Sequence, residues 1–235
     1  KDSNASKINT IQPNEIHQKI IELECNNILT TNYDLAFEYC LDNSISPDDL
    51  KNEGVIKESK YNIFRHHKVK SKKIWHIHGA VNNPSSIILG YEHYSGYLQS
   101  MRGYTTTGSQ YSNKSFNEPL TKRLQANDIG NSWIDEFFTN NVYILGLNLD
   151  FVEIDLWWLL TFRERYKIEK KTSLQNEIIY YIPSYYYNDA ASKPKIDLLE
   201  SVGVIINHEF GLVFKGKEKE YYLDVIKDIQ SKTNR

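Results

Sequence analysis

Three short stretches of this chain place polar, titratable or backbone-exposing residues directly after apolar runs. The first is Thr30-Thr31-Asn32-Tyr33-Asp34, after Asn26 to Leu29. The second is His76-Ile77-His78-Gly79, after Lys72 to Trp75. The third is Gly146-Leu147-Asn148, after Asn141 to Leu145, read as NVYIL. An asparagine offers a donor and an acceptor together, so Asn32 could orient a hydroxyl or a water. Histidine changes charge near neutral pH, so His78 could act as a base. Gly79 and Gly146 allow a backbone to approach a ligand closely. Each group also has a plainer reading. Asn32 could be a turn former that satisfies the backbone after a strand, and His78 could be a core histidine. His76 and His78 share one strand face, which makes a metal conceivable with His66, His67 or His93. No carboxylate or cysteine spacing supports one, so no metal is expected.

These residues need elements to hold them, and the surrounding pattern supplies candidates. Ile16, Ile20 and Leu23 mark one helical face, with Pro13 in the first turn. Asn26 to Thr31 reads as a short buried strand, followed by a helix from Leu35 to Leu41. Lys73 to His78 and Asn141 to Leu147 read as further strands. Asp150 with Glu153 forms a capping-box pattern ahead of a helix over 151–162, with Leu149 and Ile154 as a hydrophobic staple. That helix is apolar nearly all round, so Trp157 and Trp158 suit a core or an interface. Asp155 could pair with Arg163 or Arg165, or face a site. Ile178 to Ile182, Val204 to Ile206 and Leu212 to Phe214 are further strand candidates. Ile196 to Glu200 reads as a helix stopped at Gly203, and Tyr222, Val225, Ile226 and Ile229 mark a final helix. Strands rich in Ile and Val that alternate with helices predict an α/β fold, a Rossmann-like, mostly parallel sheet with helices on both faces. Such sheets bind ligands beyond the carboxyl ends of their strands, which is where the three polar stretches lie.

With 235 residues, the chain suits one domain spanning 1–235, with a loop-rich lid insertion around 95–132 where Ser, Thr, Gly, Asn and Tyr accumulate. Tyr91, Tyr94 and Tyr97, at its leading edge, could form a pocket wall or lid, or could pack a loop. A net charge of −2 gives no bulk attraction to nucleic acid or anionic lipid. The basic run Arg65 to Lys73 reads as a solvated loop, and a nucleic-acid role through it is the weakest option. Two isolated cysteines, Cys25 and Cys40, fit a reduced cytoplasmic chain better than a disulfide framework. No apolar run reaches the roughly 18 residues of a membrane span.

Taken in order, the motifs resemble those of sirtuins. TTNYD resembles the sirtuin TQNID signature, His78-Gly79 the catalytic His-Gly, and Gly146-Leu147-Asn148 the Gly-Thr-Ser turn. VIIN, ending at Asn207, is similar to a late Ile-Asn that contacts cofactor ribose. The phrases IWHIHG, ILGYEHY and LDFVEIDLWWLL resemble bacterial sirtuin-like proteins that cleave NAD in anti-phage defence. The likeness covers roughly residues 26 to 165, with a weaker tail to about 210.

The resemblance implies an NAD-binding domain with NAD as substrate. Asn32 and His78 would be catalytic: Asn32 would hold the nicotinamide ribose or orient water, and His78 would be the base. Thr30, Thr31, Asp34, Gly79, Gly146, Asn148 and Asn207 would bind the cofactor, with Asp34 on the nicotinamide carboxamide and Gly146 and Asn207 on the adenosine half. Two departures qualify this. No Gly-rich phosphate loop precedes TTNYD, so the first strand of the fold is expected to be missing. No cysteine follows Cys40, so the zinc module of protein deacylases is not expected. NAD hydrolysis to nicotinamide and ADP-ribose is therefore favoured over deacylation. The alternative is an inactive nucleotide-sensing or partner-binding module. A homo-oligomer or a regulatory partner is expected in either case, with neither membrane nor nucleic acid.

Overall fold

The computed structural model describes residues 11–54, 60–108, 118–126, 128–130, 132–170, 174–211 and 216–233. The chain divides into two compact units, Lys1–Asp135 and Glu136–Arg235.

In the first unit, helix α1 (Glu15–Ile21) opens at Asn14, whose side chain accepts the Ile16 and His17 N–H groups. The His17 ring closes the box on the Asn14 N–H, at 3.2 Å. The start therefore lies at Asn14, and Pro13 precedes the cap instead of occupying the first turn. Strand β1 (Asn27–Thr30), helix α2 (Ala36–Leu41) and strands β2 (Asn52–Glu53), β3 (His66–Val69) and β4 (Lys72–His76) follow. The sheet order is β1-β4-β3-β2. β1 and β4 are parallel, with Thr30 opposite His76, while β3 pairs antiparallel with both β4 and β2. Parallel pairing brings the carboxyl ends of β1 and β4 together, and with them TTNYD and HIHG.

The basic run Arg65 to Lys73 is therefore a hairpin and not a solvated loop. Arg65, His66, His67 and Lys72 are buried. Lys68 is the exposed residue of β3, and the hairpin turns through Lys70 at φ 52°. Lys72 is tolerated inside because its ammonium donates to the carbonyls of Leu23 and Cys25, at 2.6 Å each. Those acceptors lie in the turn after α1, where the Leu23 carbonyl also accepts the Cys25 N–H at 2.8 Å.

The stretch expected as a loop is largely helical. Helix α3 spans Gly90–Arg102 and continues as a π-helical turn over Gly103–Thr107; α4 spans Leu120–Ala126 and α5 spans Trp133–Thr139. Residues 109–117 lie outside the described residues. The threonines that suggested a loop bond back along the helix. Thr105 donates to the Met101 carbonyl at 2.9 Å, Thr106 to Arg102 at 2.6 Å, and Thr107 to Gly103 at 3.0 Å. Side-chain bonds of this kind let hydroxyl residues remain within a helix. Burial holds it there. Tyr97, Met101 and Tyr104 are enclosed, the Trp133 indole donates to Tyr97 Oη at 2.8 Å, and Tyr104 donates to Asp135 at 2.7 Å.

The second unit carries a parallel sheet in the order β5-β6-β7: β5 (Val142–Ile144), β6 (Ile178–Tyr181) and β7 (Val204–Asn207). Its other helices are α6 (Ile154–Lys170), α7 (Ser184–Tyr187), α8 (Lys193–Ser201) and α9 (Glu218–Thr233). α6 begins at Ile154, so Asp150 is not its cap. Asp150 instead opens a turn, its carbonyl accepting from Glu153 at 2.9 Å and its carboxylate from the Asn148 amide at 2.7 Å. In α6, Leu156, Leu159 and Leu160 are buried. Trp158 is half-buried and stacks on Phe162. Arg163 is buried, donating to the carbonyls of Phe137 at 2.7 Å and Asn176 at 2.6 Å. Gly203 takes φ 77° after α8, the left-handed stop expected there. The strand expected over Leu212 to Phe214 lies outside the described residues. The fold is α/β with parallel strands, of the Rossmann-like kind. Among the described residues, no helix is long and apolar enough to cross a membrane.

One glycine is required by the turn after β4. Gly79 has φ 95°, and a Cβ added there would lie 2.4 Å from the Ser86 carbonyl oxygen. Backbone cannot yield to that contact as a flexible side chain can. Gly79→Ala should lower unfolding free energy by at least about 1–3 kcal/mol, read by urea denaturation. Gly103→Ala, at a helical position with open space around it, should be neutral or stabilising by about 0.4–1 kcal/mol. Equal losses at both positions would contradict this account of the turn.

Candidate functional site

The carboxyl ends of β1 and β4 carry the candidate residues of the first unit. Thr30 Oγ1 accepts the Asn32 N–H at 3.1 Å, which curls the chain immediately after β1. Tyr33 is tied twice: its hydroxyl donates to the Ile88 carbonyl at 2.8 Å, and its own carbonyl accepts from Val81 at 2.8 Å. Asp34 Oδ1 accepts the Ala36 N–H at 3.0 Å, so this carboxylate is committed to the entry of α2. Thr31 is half-buried, and Asn32 is exposed. The segment is a fixed backbone that presents the Asn32 side chain to solvent.

His78 stands on the neighbouring strand end but is enclosed, at 2% exposure. Its carbonyl accepts from Ile88 at 2.8 Å. Its Nδ1 lies 3.4 Å from the Tyr94 hydroxyl, and the rings of Tyr94 and Tyr97 meet it edge-on at 5.2 and 6.5 Å. Tyr94 and Tyr97 thus form the wall of the histidine's pocket on α3, whereas Tyr91 is 84% exposed. The Gly79 N–H returns to the His76 carbonyl at 2.9 Å, tightening the turn that carries His78.

Behind this edge lies a buried polar trio. Glu38, on α2, is fully enclosed, as are His67 on β3 and His76 on β4. Glu38 Oε1 is 2.6 Å from His67 Nδ1 and 2.8 Å from His76 Nε2. The other nitrogen of His76, Nδ1, lies 2.9 Å from the Asn32 carbonyl oxygen. Both of its neighbours are pure acceptors, so His76 carries protons on both nitrogens and is an imidazolium. His67 faces Glu38 through Nδ1, and its Nε2 lies 3.4 Å from the Asn82 amide nitrogen. Burial works against the charged carboxylate, yet the hydrogen bonds and charge of His67 and His76 prevail and hold Glu38 down at about 2. Burial likewise disfavours a charged His76, and the Glu38 carboxylate overcomes it, raising its pKa. Oε2 of Glu38 is buried with no hydrogen-bond partner.

Glu, His and His are metal-ligand types, and these ligand atoms lie within 4.8 Å of one another. Ligands around one tetrahedral zinc, with bonds of 2.0–2.1 Å, sit about 3.3 Å apart. The 2.6 and 2.8 Å separations here are hydrogen-bonding distances.

In the second unit, the remaining candidates share the carboxyl edge of the parallel sheet. Gly146 is exposed, with φ 69°. Asn148 is exposed and held from behind: Lys195 Nζ donates to its carbonyl at 2.8 Å and to its Oδ1 at 3.1 Å. The Tyr180 hydroxyl donates to the Leu147 carbonyl at 2.8 Å, and burial raises its pKa. Asn207, half-buried at the end of β7, accepts the Glu209 N–H through Oδ1 at 3.2 Å. Its carbonyl accepts from Ile182 at 3.0 Å.

Sequence reading missed Glu38, Tyr180 and Lys195. A lone glutamate in an apolar helix gives little signal by itself. The usable clue was a carboxylate four residues after Asp34, one helical turn into α2, in a chain with two HxH- or HH-type clusters.

A family model described as the SIR2-like domain matches residues 26–150, more than half of the chain. Comparison with curated proteins found no match.

The buried pair makes stability depend on pH. Glu38 has a depressed pKa, so its contribution is present above the ordinary 4.5 and is lost as pH falls toward about 2. His76 has a raised pKa, so its contribution is full below the ordinary 6.5 and is lost as pH rises through the elevated value. The stability difference between wild type and His76→Gln should therefore be greatest between about pH 4.5 and 6.5 and shrink on both sides, in urea melts across pH. A difference that grows steadily from neutral to alkaline pH would contradict the charged pair.

Proposed function

The chain belongs to the SIR2-like family, and from that premise we propose that it is an NAD glycohydrolase, releasing nicotinamide and ADP-ribose. The observation that carries the proposal is the pairing of β1 with β4, parallel and in register from Thr30 to His76. It sets an exposed Asn32 beside the strand end that bears His78. In this reading NAD is the substrate. Water attacks the ribose carbon, the bond to the nicotinamide nitrogen breaks, and its electron pair neutralises the pyridinium. The proton lost by water passes to His78. Charge develops on the ribose as in glycoside cleavage, and Asn32 holds a ribose hydroxyl or the attacking water. A base enclosed by Tyr94 and Tyr97 works in a dry setting, and a positioned base contributes roughly 10²- to 10⁴-fold.

Asp34 serves this reading through its second oxygen, since Oδ1 is taken by Ala36. Thr30, Thr31 and Gly79 shape the backbone around the nicotinamide ribose. By the family resemblance, Gly146 and Asn207 of the second unit are candidates for the adenosine half, and Asn148 is a candidate cofactor-binding residue. Lysine deacylation is disfavoured, because no cysteine follows Cys40 to build the zinc module of deacylases. The biological setting we propose is bacterial and cytoplasmic: depletion of NAD in defence against phage, with activity controlled by self-association or by a regulatory partner. The free thiols of Cys25 and Cys40 are compatible with a reducing compartment.

Nicotinamide release from NAD tests the proposal. Asn32→Ala and His78→Ala should each lower kcat by about 10²-fold or more, with the thermal unfolding temperature of Asn32→Ala near wild type because that side chain is exposed. Full activity in both variants would overturn the assignment. A folded protein that binds NAD without cleaving it would instead be a nucleotide-sensing module.

A further inference from the structure

Glu38 lies outside the strand-end motifs, yet it is linked to them through a single ring. Its carboxylate meets His76 Nε2 at 2.8 Å, and His76 Nδ1 meets the Asn32 carbonyl at 2.9 Å. We propose that Glu38 is a positioning residue for Asn32, acting through a doubly protonated His76. This rests on the reading of Asn32 as the group that orients ribose or water.

The geometry supports the role in three ways. Asn32 is exposed, so packing does not set the direction of its side chain; the backbone that carries it must do so. That backbone is gripped at both polar groups of one residue, the N–H by Thr30 Oγ1 at 3.1 Å and the carbonyl by His76. The second grip exists only while Nδ1 of His76 bears a proton and the ring keeps its orientation. Glu38 secures both, because its Oε1 accepts from Nε2. His67 then fixes Glu38 from the opposite side, at 2.6 Å. The chain of contacts runs from β3 through α2 to β4 and ends on Asn32, two residues after β1. A neutral His76 would need only one acceptor and could release either end.

A carboxylate placed here solely for stability is a poor choice. It is fully enclosed and one oxygen lacks a partner. Buried ion pairs often contribute little net stability because desolvation offsets their attraction. Fixing the strand-end backbone is a role that an apolar replacement could not fill.

The test uses Glu38→Gln, which keeps the shape and removes the charge. Nitrogen-15 spectra of the wild-type imidazoles near neutral pH should show both His76 nitrogens protonated, and Glu38→Gln should shift its titration to lower pH. The groups facing His76 in that titration are Glu38 from α2, His67 from β3, and Asp34 from the turn before α2. The side-chain amide resonances of Asn32 should move in the variant. In nicotinamide release, kcat should fall by about tenfold to 10²-fold, the scale of a small misplacement, with KM changed far less. A neutral His76 in wild type, or an unmoved Asn32 amide in Glu38→Gln, would overturn the proposal. So would loss confined to KM. The wild-type spectra decide the matter even where the variant does not fold. Absence of nicotinamide release from wild type would remove the glycohydrolase reading alone, while the spectra still judge the positioning role.

Discussion

A carboxylate with no solvent exposure can remain charged only where protons are aimed at it. Glu38 meets that condition through two imidazoles, and the strand-end architecture of the first unit depends on the result. Taking a charge out of water costs several kcal/mol even after relaxation. The offset comes from His67 on β3 and His76 on β4, both on Oε1. Removing any member leaves an uncompensated polar group inside. The trio therefore locks α2 to the sheet and fixes which face of β3 points inward. Through His76 it reaches the carbonyl of Asn32. The same contacts that settle the fold also hold the backbone of the residue for which we propose a catalytic role.

The second unit reaches a similar arrangement by other means. Three parallel strands end together, and the turn after β5 is held by donors from behind it. Tyr180 donates to Leu147, and Lys195 to Asn148. Lys195 keeps its cost low by bonding twice to one asparagine and lying over the Tyr186 ring at 5.2 Å. In both units, exposed asparagines are presented by backbones that buried polar side chains hold still. That combination suits recognition of a ribose or a water, which needs directed donors and acceptors more than apolar area.

Much of this was legible in the chain itself. The apolar runs at β1, β4, β5, β6 and β7 stood out as short stretches with Ile, Val, Leu and aromatic residues bounded by polar ones. The polar residues after them could be found from the rule that ligands sit beyond strand ends. What sequence could not show were partnerships made at long range. Arg65 to Lys73 looked solvated because it is basic, and it is buried because Glu38 and the Leu23 and Cys25 carbonyls receive its side chains. Residues 95–107, within the stretch 95–132, looked like loop because they are rich in Ser, Thr, Gly and Tyr, and they are helical because Tyr97, Met101 and Tyr104 are enclosed and the threonines bond back to the preceding turn. Asp150 matched a capping pattern, yet Asn148 competes for its carboxylate. Local pattern picked out the candidate residues, while tertiary burial chose their supports.

The central claim is that the strand ends of β1 and β4 direct water onto the ribose of NAD. Cleavage carried out in oxygen-18 water tests it most directly, with products read by mass spectrometry. The account predicts nicotinamide together with ADP-ribose that carries the heavy oxygen at the former glycosidic carbon, in wild type and not in His78→Ala. Nicotinamide released alongside an unlabelled cyclic product, or labelled ADP-ribose formed equally by His78→Ala, would contradict it.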